Sequence, residues 1–269
     1  MNSAHSPRAG FTAPAKKQLG QHFLADAHYV EKIVLAVNPK DGERLVEIGP
    51  GQGAITLPLL RRHGALTVIE FDRDLLRPLA AMAEGLGGLS IVHCDVLEVD
   101  FTALAGGAPI RLVGNLPYNI SSPILFHVLE HAAVIRDMVF MLQKEVVDRM
   151  AAAPGSKVYG RLSVMLQAYC RVAPLFTVPP GAFRPPPKVD SAVVRLVPRP
   201  TAEIGIHDPA RFAGLVRAAF GQRRKTLRNA LAGVCDAAHF AAAGLDPQAR
   251  AEQVDVAGFI RLANAAPAA

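Results

Sequence analysis

The chain has 269 residues, 51% hydrophobic and 19% charged, enough for one large packed domain or a large one with a small companion. Lys plus Arg is 29 against 23 Asp plus Glu, and the net charge of +6 fits a polyanionic partner without requiring one. The scattered Cys94, Cys170 and Cys235 exclude a Cys-x-x-Cys zinc or disulfide framework, and no charge-free apolar run reaches the ~18 residues of a membrane span, so a reducing cytoplasm is the expected address.

Residues 1–15 read as a flexible polar tail without the apolar core of a signal peptide. Lys16 to Leu24 is basic and then amphipathic; it reads either as an arm packed against the domain or as one lying over a cofactor. Asp26 is placed to cap a helix over Ala27 to Val37. A short strand, Leu45 to Ile48, runs into Gly49-Pro50-Gly51-Gln52-Gly53 and then a helix over Ala54 to Arg62. Strand, glycine turn and helix together make a ligand-binding turn, because backbone without Cβ can approach a ligand closely. The spacing is Gly-x-Gly-x-Gly after Glu47, tighter than the Gly-x-Gly-x-x-Gly turn of pyrophosphate sites, and suits a nucleoside carrying an amino-acid tail.

The next strand, Leu66 to Ile69, ends in Glu70, about 20 residues past Gly49, the offset of an acid that binds ribose hydroxyls. A helix follows over Leu75 to Glu84, then a strand over Leu89 to Val92. Asp95, just beyond it, is placed to accept from an adenine amine and reads equally as a turn cap. A fourth strand, Ile110 to Val113, leads into Asn115-Leu116-Pro117-Tyr118, and Ser121-Ser122-Pro123 then reads as a cap with proline in the first turn of a helix running to His131. An Asn side-chain oxygen and the carbonyl before a proline can both accept from one NH2 group, and a Tyr ring can stack on a flat base. Two such acceptors favour a pyramidal exocyclic amine with a localised lone pair, without a strong base. Four successive strand ends thus carry groups suited to one crevice.

His127 and His131 lie four apart, but position 128 is Val and no third ligand is evident, so the pair reads as surface or capping histidines and no metal is expected. A strand over Met138 to Leu142, helices over Lys144 to Met150 and Val158 to Tyr169, and β segments over Arg171 to Val178 and Ser191 to Val197 complete this part. The proline-rich stretch from Pro179 to Asp190 reads as a stiff loop unable to pair in a sheet; its Phe183 reads either as the second face of a base sandwich with Tyr118 or as core. Residues 16–200 are read as the Rossmann-like domain. A linker runs over Pro198 to His207, and residues 201–269 form a small, helical, Ala-rich domain. Its Arg211, Arg217, Arg223, Arg224, Lys225 and Arg228 have no acid among them, which points to a phosphate-binding surface.

These residues resemble the bacterial ribosomal RNA small subunit adenine N6-dimethyltransferases. The matching segments are LGQHFL (Leu19 to Leu24), EIGPGQG (Glu47 to Gly53), Glu70, CDVL (Cys94 to Leu97), GNLPYNISSPILF (Gly114 to Phe126), YGRLSVM (Tyr159 to Met165), AFRPPPKVDSAVVRL (Ala182 to Leu196) and FGQRRKTLRNAL (Phe220 to Leu231). The resemblance implies an α/β, class I S-adenosylmethionine-dependent methyltransferase sheet with a small all-α C-terminal domain. It implies dimethylation of two adjacent adenosines near the 3′ end of small-subunit rRNA, in immature subunits, by a monomer. By position, His22, Leu24, Gly49, Gly51, Glu70, Asp95 and Asn115 would line the cofactor site. Asn115, Leu116, Pro117 and Tyr118 would hold the target amine, with Phe183 stacking, and Arg217, Arg223, Arg224, Lys225 and Arg228 would meet RNA. His22 departs from the Asn of many members, and its hydrogen-bonding capacity is expected to preserve the site. The related large-subunit enzymes, a DNA adenine methyltransferase and a non-catalytic assembly factor are the competing readings.

Overall fold

The computed structural model describes residues 16, 20–222 and 224–265. A seven-stranded sheet forms the centre. In chain order its strands and the helices between them are β2 (Arg44–Ile48), α2 (Thr56–His63), β3 (Ala65–Glu70), α3 (Arg73–Ala83), β4 (Gly88–His93), α4 (Phe101–Ala105), β5 (Ile110–Asn115), α5 (Ser121–Glu130), β6 (Ile135–Gln143), α6 (Lys144–Met150), α7 (Arg161–Tyr169), β7 (Cys170–Val178) and β9 (Ser191–Pro198). A two-residue strand β1 (Phe23–Leu24) precedes α1 (Ala27–Val37), and β8 (Phe183–Arg184) lies between β7 and β9. The order across the sheet is β4-β3-β2-β5-β6-β9-β7; the first five are parallel and β9 runs antiparallel to both its neighbours. The chain steps outward from β2 to β4 and then returns to the other side of β2 as β5. That reversal opens a crevice at the carboxyl ends of β2 and β5.

The strands read as near-continuous apolar runs because both faces are covered. Period-two alternation sends Val46, Ile48, Leu112 and Phe140 into one core with α4 to α7 residues such as Phe101 and Ile124. It sends Leu45, Val113, Val139 and Met141 into a second core, with Ile33 of α1, Leu59 of α2 and Leu79 of α3. The Asp26 side chain accepts from His28 N–H, as expected of a cap. The expected cap at Ser121 differs: α5 begins at Ser121 itself, no side chain caps it, and the Ser121 hydroxyl donates to the Tyr118 carbonyl at 3.3 Å.

The proline-rich stretch also departs from expectation. Phe183 and Arg184 precede the run of prolines, keep their N–H groups, and pair antiparallel with Leu24 and Phe23. Beyond β9, α8 (Thr201–Ile204), α9 (Pro209–Gly221), α10 (Leu227–Ala230), α11 (Ala237–Ala243) and α12 (Val256–Ala265) form the helical C-terminal part. Their apolar faces, with Phe212, Leu215, Phe240 and Phe259, close on Tyr159, Val164 and Met165 at α7, so the third core is shared across position 200. The Tyr159 hydroxyl donates to the Val254 carbonyl at 2.9 Å across the same junction.

Candidate active site

The carboxyl ends of β2 to β5 surround a cavity of about 240 Å³, with His22, Gly51, Glu70, Asp95, Asn115 and Tyr118 in its wall. The glycine turn fits between β2 and α2 because Gly49, Gly51 and Gly53 hold φ of +67°, +55° and +82°, and a Cβ on Gly51 would sit 3.0 Å from the Phe23 ring. Glu70 is buried. One carboxylate oxygen accepts from Gly51 N–H at 3.2 Å and the other from Asp72 N–H at 2.7 Å. Burial raises its pKa, and those N–H groups oppose the shift. The two readings of Asp95 meet in one side chain: Oδ1 caps the following turn by accepting from Leu97 N–H at 2.9 Å, and the residue still lines the cavity.

The Asn115 loop is held from both sides. Leu116 is buried, and its N–H donates to the Met141 carbonyl at 3.0 Å. Asn115 Nδ2 donates to the His22 carbonyl at 2.8 Å. A carbonyl only accepts, so the amide cannot turn over without losing this bond, and Oδ1 stays available as an acceptor. Gly114 fits at the end of β5 only because it has no side chain: a Cβ there would lie 2.5 Å from the Ile48 carbonyl oxygen. Pro117 lines the same cavity. The Tyr118 hydroxyl is hydrogen-bonded to Ser191 Oγ, and burial raises its pKa.

Two expected ligand-facing residues lie elsewhere. Phe183 is fully buried in the second core beside Val178 and Val193, with its backbone paired to Leu24. The structure thus has the ring in its core position, and withdrawing it to meet a base would forfeit about 1.5–3 kcal/mol of burial. The ring on Tyr118 is instead His22, with centroids 5.5 Å apart and planes at 28°. His22 Nδ1 donates to the Pro185 carbonyl at 3.0 Å, which fixes the imidazole. The Leu24 side chain is likewise buried in the second core, and it reaches only a smaller cavity behind the glycine turn, shared with Glu47, Gln52 and Asn115.

The residue after each strand-end acid, Phe71 and Val96, also lines the main cavity, and Phe71 is 59% exposed. An apolar neighbour beside an acid at a strand end was the available signal. Glu47 is a second overlooked group, signalled by one acid inside an apolar strand. Burial pushes its carboxyl up to about 8; the Thr56 hydroxyl, donating at 2.6 Å, opposes the shift and Glu70 adds to it. Among the described residues no Lys or Arg lines either cavity.

The arm is the other structural surprise. Lys16 bridges to Asp72 at 2.6 Å and Asp74 at 2.7 Å, and Gln21 Nε2 donates to Asp72 at 3.1 Å. Residues 1–15 and 17–19 lie outside the described residues. In the C-terminal part Arg217, Arg224, Lys225 and Arg228 are exposed and pair with no carboxylate among the described residues, and Arg223 lies outside them. His127 and His131 pack edge-on at 5.2 Å, one bonded to the Val99 carbonyl and the other to Thr102 Oγ1; no group of metal ligands occurs among the described residues.

A family model described as ribosomal RNA adenine dimethylase matches residues 13–267. The chain belongs to the ribosomal RNA adenine dimethylase family. This member is 75% identical over 260 residues to "Ribosomal RNA small subunit methyltransferase A" of Xanthomonas oryzae pv. oryzae strain PXO99A, covering 97% of this chain and 99% of that one. The protein of the same name from Xanthomonas campestris pv. campestris strain B100 is 74% identical over 256 residues, covering 95% and 98%. Among solved structures, a dimethyladenosine transferase from Plasmodium falciparum is similar with a TM-score of 0.75 at 25% identity, over 90% of this chain and 96% of that one. The 23S rRNA methyltransferase ErmE aligns with a TM-score of 0.69 at 25% identity, over 90% and 98%. The dimethylase family fold is therefore the class I methyltransferase sheet with its helical C-terminal part, and the chain is an S-adenosylmethionine-dependent methyltransferase.

Proposed function

We propose that the chain transfers methyl groups to the N6 amines of two adjacent adenosines near the 3′ end of small-subunit rRNA, within an immature subunit. One observation carries the reading: the Asn115 amide is locked by the His22 carbonyl with its oxygen left to accept, at the rim of a cavity lined by Glu70 and Asp95 and, among the described residues, by no cation. The cavity fits S-adenosylmethionine. Its glycine cradle excludes a Cβ at Gly51, Glu70 sits where ribose hydroxyls need an acceptor, and Asp95 is placed for an adenine amine. Glu47, buried without a cation among the described residues, suits an arriving ammonium tail. The cofactor, when bound, supplies a sulfonium methyl already activated for displacement.

The chain's own residues then align and polarise. Asn115 Oδ1 and the Leu116 carbonyl accept from the two hydrogens of the target amine and stabilise the pyramidal nitrogen of the transition state. Tyr118, braced by His22 on one face and Ser191 at its hydroxyl, offers its other face to the base. Asn in place of Asp keeps the site neutral, and the displaced proton passes to water. The exposed Arg217, Arg224, Lys225 and Arg228 are the proposed RNA contacts of the C-terminal part. A cytoplasmic, monomeric protein is proposed, with a 201–269 unit that follows the sheet domain; among the described residues no helix is long and apolar enough to cross a membrane.

Labelled methyl transfer from S-adenosylmethionine to small subunits lacking the modification tests the reading. Label is expected as N6,N6-dimethyladenosine, and Asn115→Ala is expected to lower kcat about 10²–10³-fold. Label on large-subunit RNA, or tight binding to immature subunits without transfer, would overturn it. The 75% identical relatives bearing the small-subunit name support the small-subunit substrate over the large.

A further inference from the structure

An open groove of about 790 Å³ lies at the amino ends of β2, β5 and β6, the opposite end of the sheet from Asn115. Strands of five or six residues at ~3.3 Å each put roughly 15–20 Å between the two. The groove is lined by Lys32, Lys40, Arg111, Arg136 and Arg195, against only Glu43 and Asp137. Those two acids are already used. Arg111 holds Glu43 at 2.5 Å and Asp137 at 2.6 Å, Arg136 reaches Glu43 at 2.6 Å, and Arg195 reaches Asp137 at 3.6 Å. Among the described residues the ammonium groups of Lys32 and Lys40 pair with no carboxylate. Lys32 lies over the Phe176 ring at 4.1 Å and Lys40 reaches only Asn38 Oδ1 at 3.4 Å. Between the charges the wall is apolar, and Leu35 (53% exposed) and Leu175 (39%) face solvent there without covering partners.

We infer that this groove is a second RNA-binding surface, taking an unpaired strand of the small-subunit rRNA at a distance from the methylated adenosines. Excess positive charge follows the phosphates, and the exposed leucines with the Phe176 edge receive unstacked bases, the two components of single-strand binding. An acidic protein segment would satisfy the charge, but a groove whose cations are spread over α1, the loop after it, β6 and β9 tracks a backbone with regularly spaced charge. The inference rests on rRNA being the partner, and it goes beyond the pocket and the C-terminal arginines.

The test is the binding of protein-free small-subunit rRNA, titrated against salt, by the full chain and by a Lys32→Glu, Lys40→Glu double variant. S-adenosylmethionine affinity and melting temperature serve as checks on folding. The double variant is expected to bind about tenfold more weakly, with a slope of log K against log salt reduced by about 2, while the Lys32→Arg, Lys40→Arg variant binds as the parent does. Equal affinity and slope in parent and charge-reversed chains would overturn the groove alone. A parent chain that binds no protein-free rRNA would overturn the groove, whereas the functional reading stands or falls on methyl transfer to small subunits. Loss of binding to intact subunits with unchanged binding to protein-free rRNA would make the occupant a ribosomal protein and overturn the RNA assignment.

Discussion

Among the described residues, Glu70 and Asp95 line a cavity without Lys or Arg at the carboxyl ends of the strands, with Glu47 buried behind it, and at the amino ends of the same sheet five cations meet two carboxylates. The carboxylates differ in state as well as number. Burial pushes Glu47 up to about 8 with no cation to oppose it. Glu43 is also desolvated, yet the Lys40 N–H and Arg111 hold it down at about 2. The difference shows how one sheet separates two tasks. The carboxylates at the amino end are satisfied by cations of the protein itself and stabilise it. Those at the carboxyl end are left partly unsatisfied and wait for a ligand.

The largest expected break in this comparison is Arg111→Ala, which takes the buried cation from between Asp137 and Glu43, leaving them Arg195 and Arg136 at the rim, and is expected to cost about 3 kcal/mol in urea unfolding. Its pH signature separates it from simple packing loss. The parent's Glu43 contribution is present above the ordinary value of 4.5 and is lost as pH falls toward about 2, and the variant should lose the part of that acid resistance owed to Arg111, keeping what the Lys40 N–H and Arg136 supply. At the other end, Gly114→Ala forces a Cβ to 2.5 Å from the Ile48 carbonyl and is expected to cost about 1–3 kcal/mol and to displace Asn115. Thermal melting and methyl transfer, measured together, should both fall.

Glu47→Gln sharpens the contrast with Glu43. Because the folded value of about 8 exceeds the ordinary 4.5, this group stabilises the fold below about 4.5 and its contribution is lost as pH rises toward 8. Without cofactor, the variant is expected to gain stability over the parent between pH 5 and pH 7, by up to about 1.4 kcal/mol per pH unit, read from melting curves. The smallest effect is expected from Tyr118→Phe, which removes the bond to Ser191 for about 1 kcal/mol; it should raise KM for the RNA more than it lowers kcat.

The parallel core was legible in the sequence because each strand is a short apolar run closed by a turn, and each run ends in a residue that chemistry can use. Asn115, Glu70 and Asp95 were therefore found from strand ends alone. The partners of Tyr118 were not. His22 lies about a hundred residues before it in the chain and Ser191 lies 73 after it, and periodicity carries no information about such pairings. The proline run from Pro185 pointed to an unpaired loop, but the pairing residues, Phe183 and Arg184, come just before it. Phe183 was ambiguous because an aromatic beside prolines suits a core and a stacking platform alike; only its burial decides between them.

The arm joins two parts of the site that the sheet alone would leave independent. Lys16 and Gln21 hold Asp72, two residues past Glu70, and the His22 carbonyl holds the Asn115 amide. One short segment outside the parallel sheet therefore braces the ends of β3 and β5, on either side of β2, at once, and a substitution at either anchor is expected to be felt at the other.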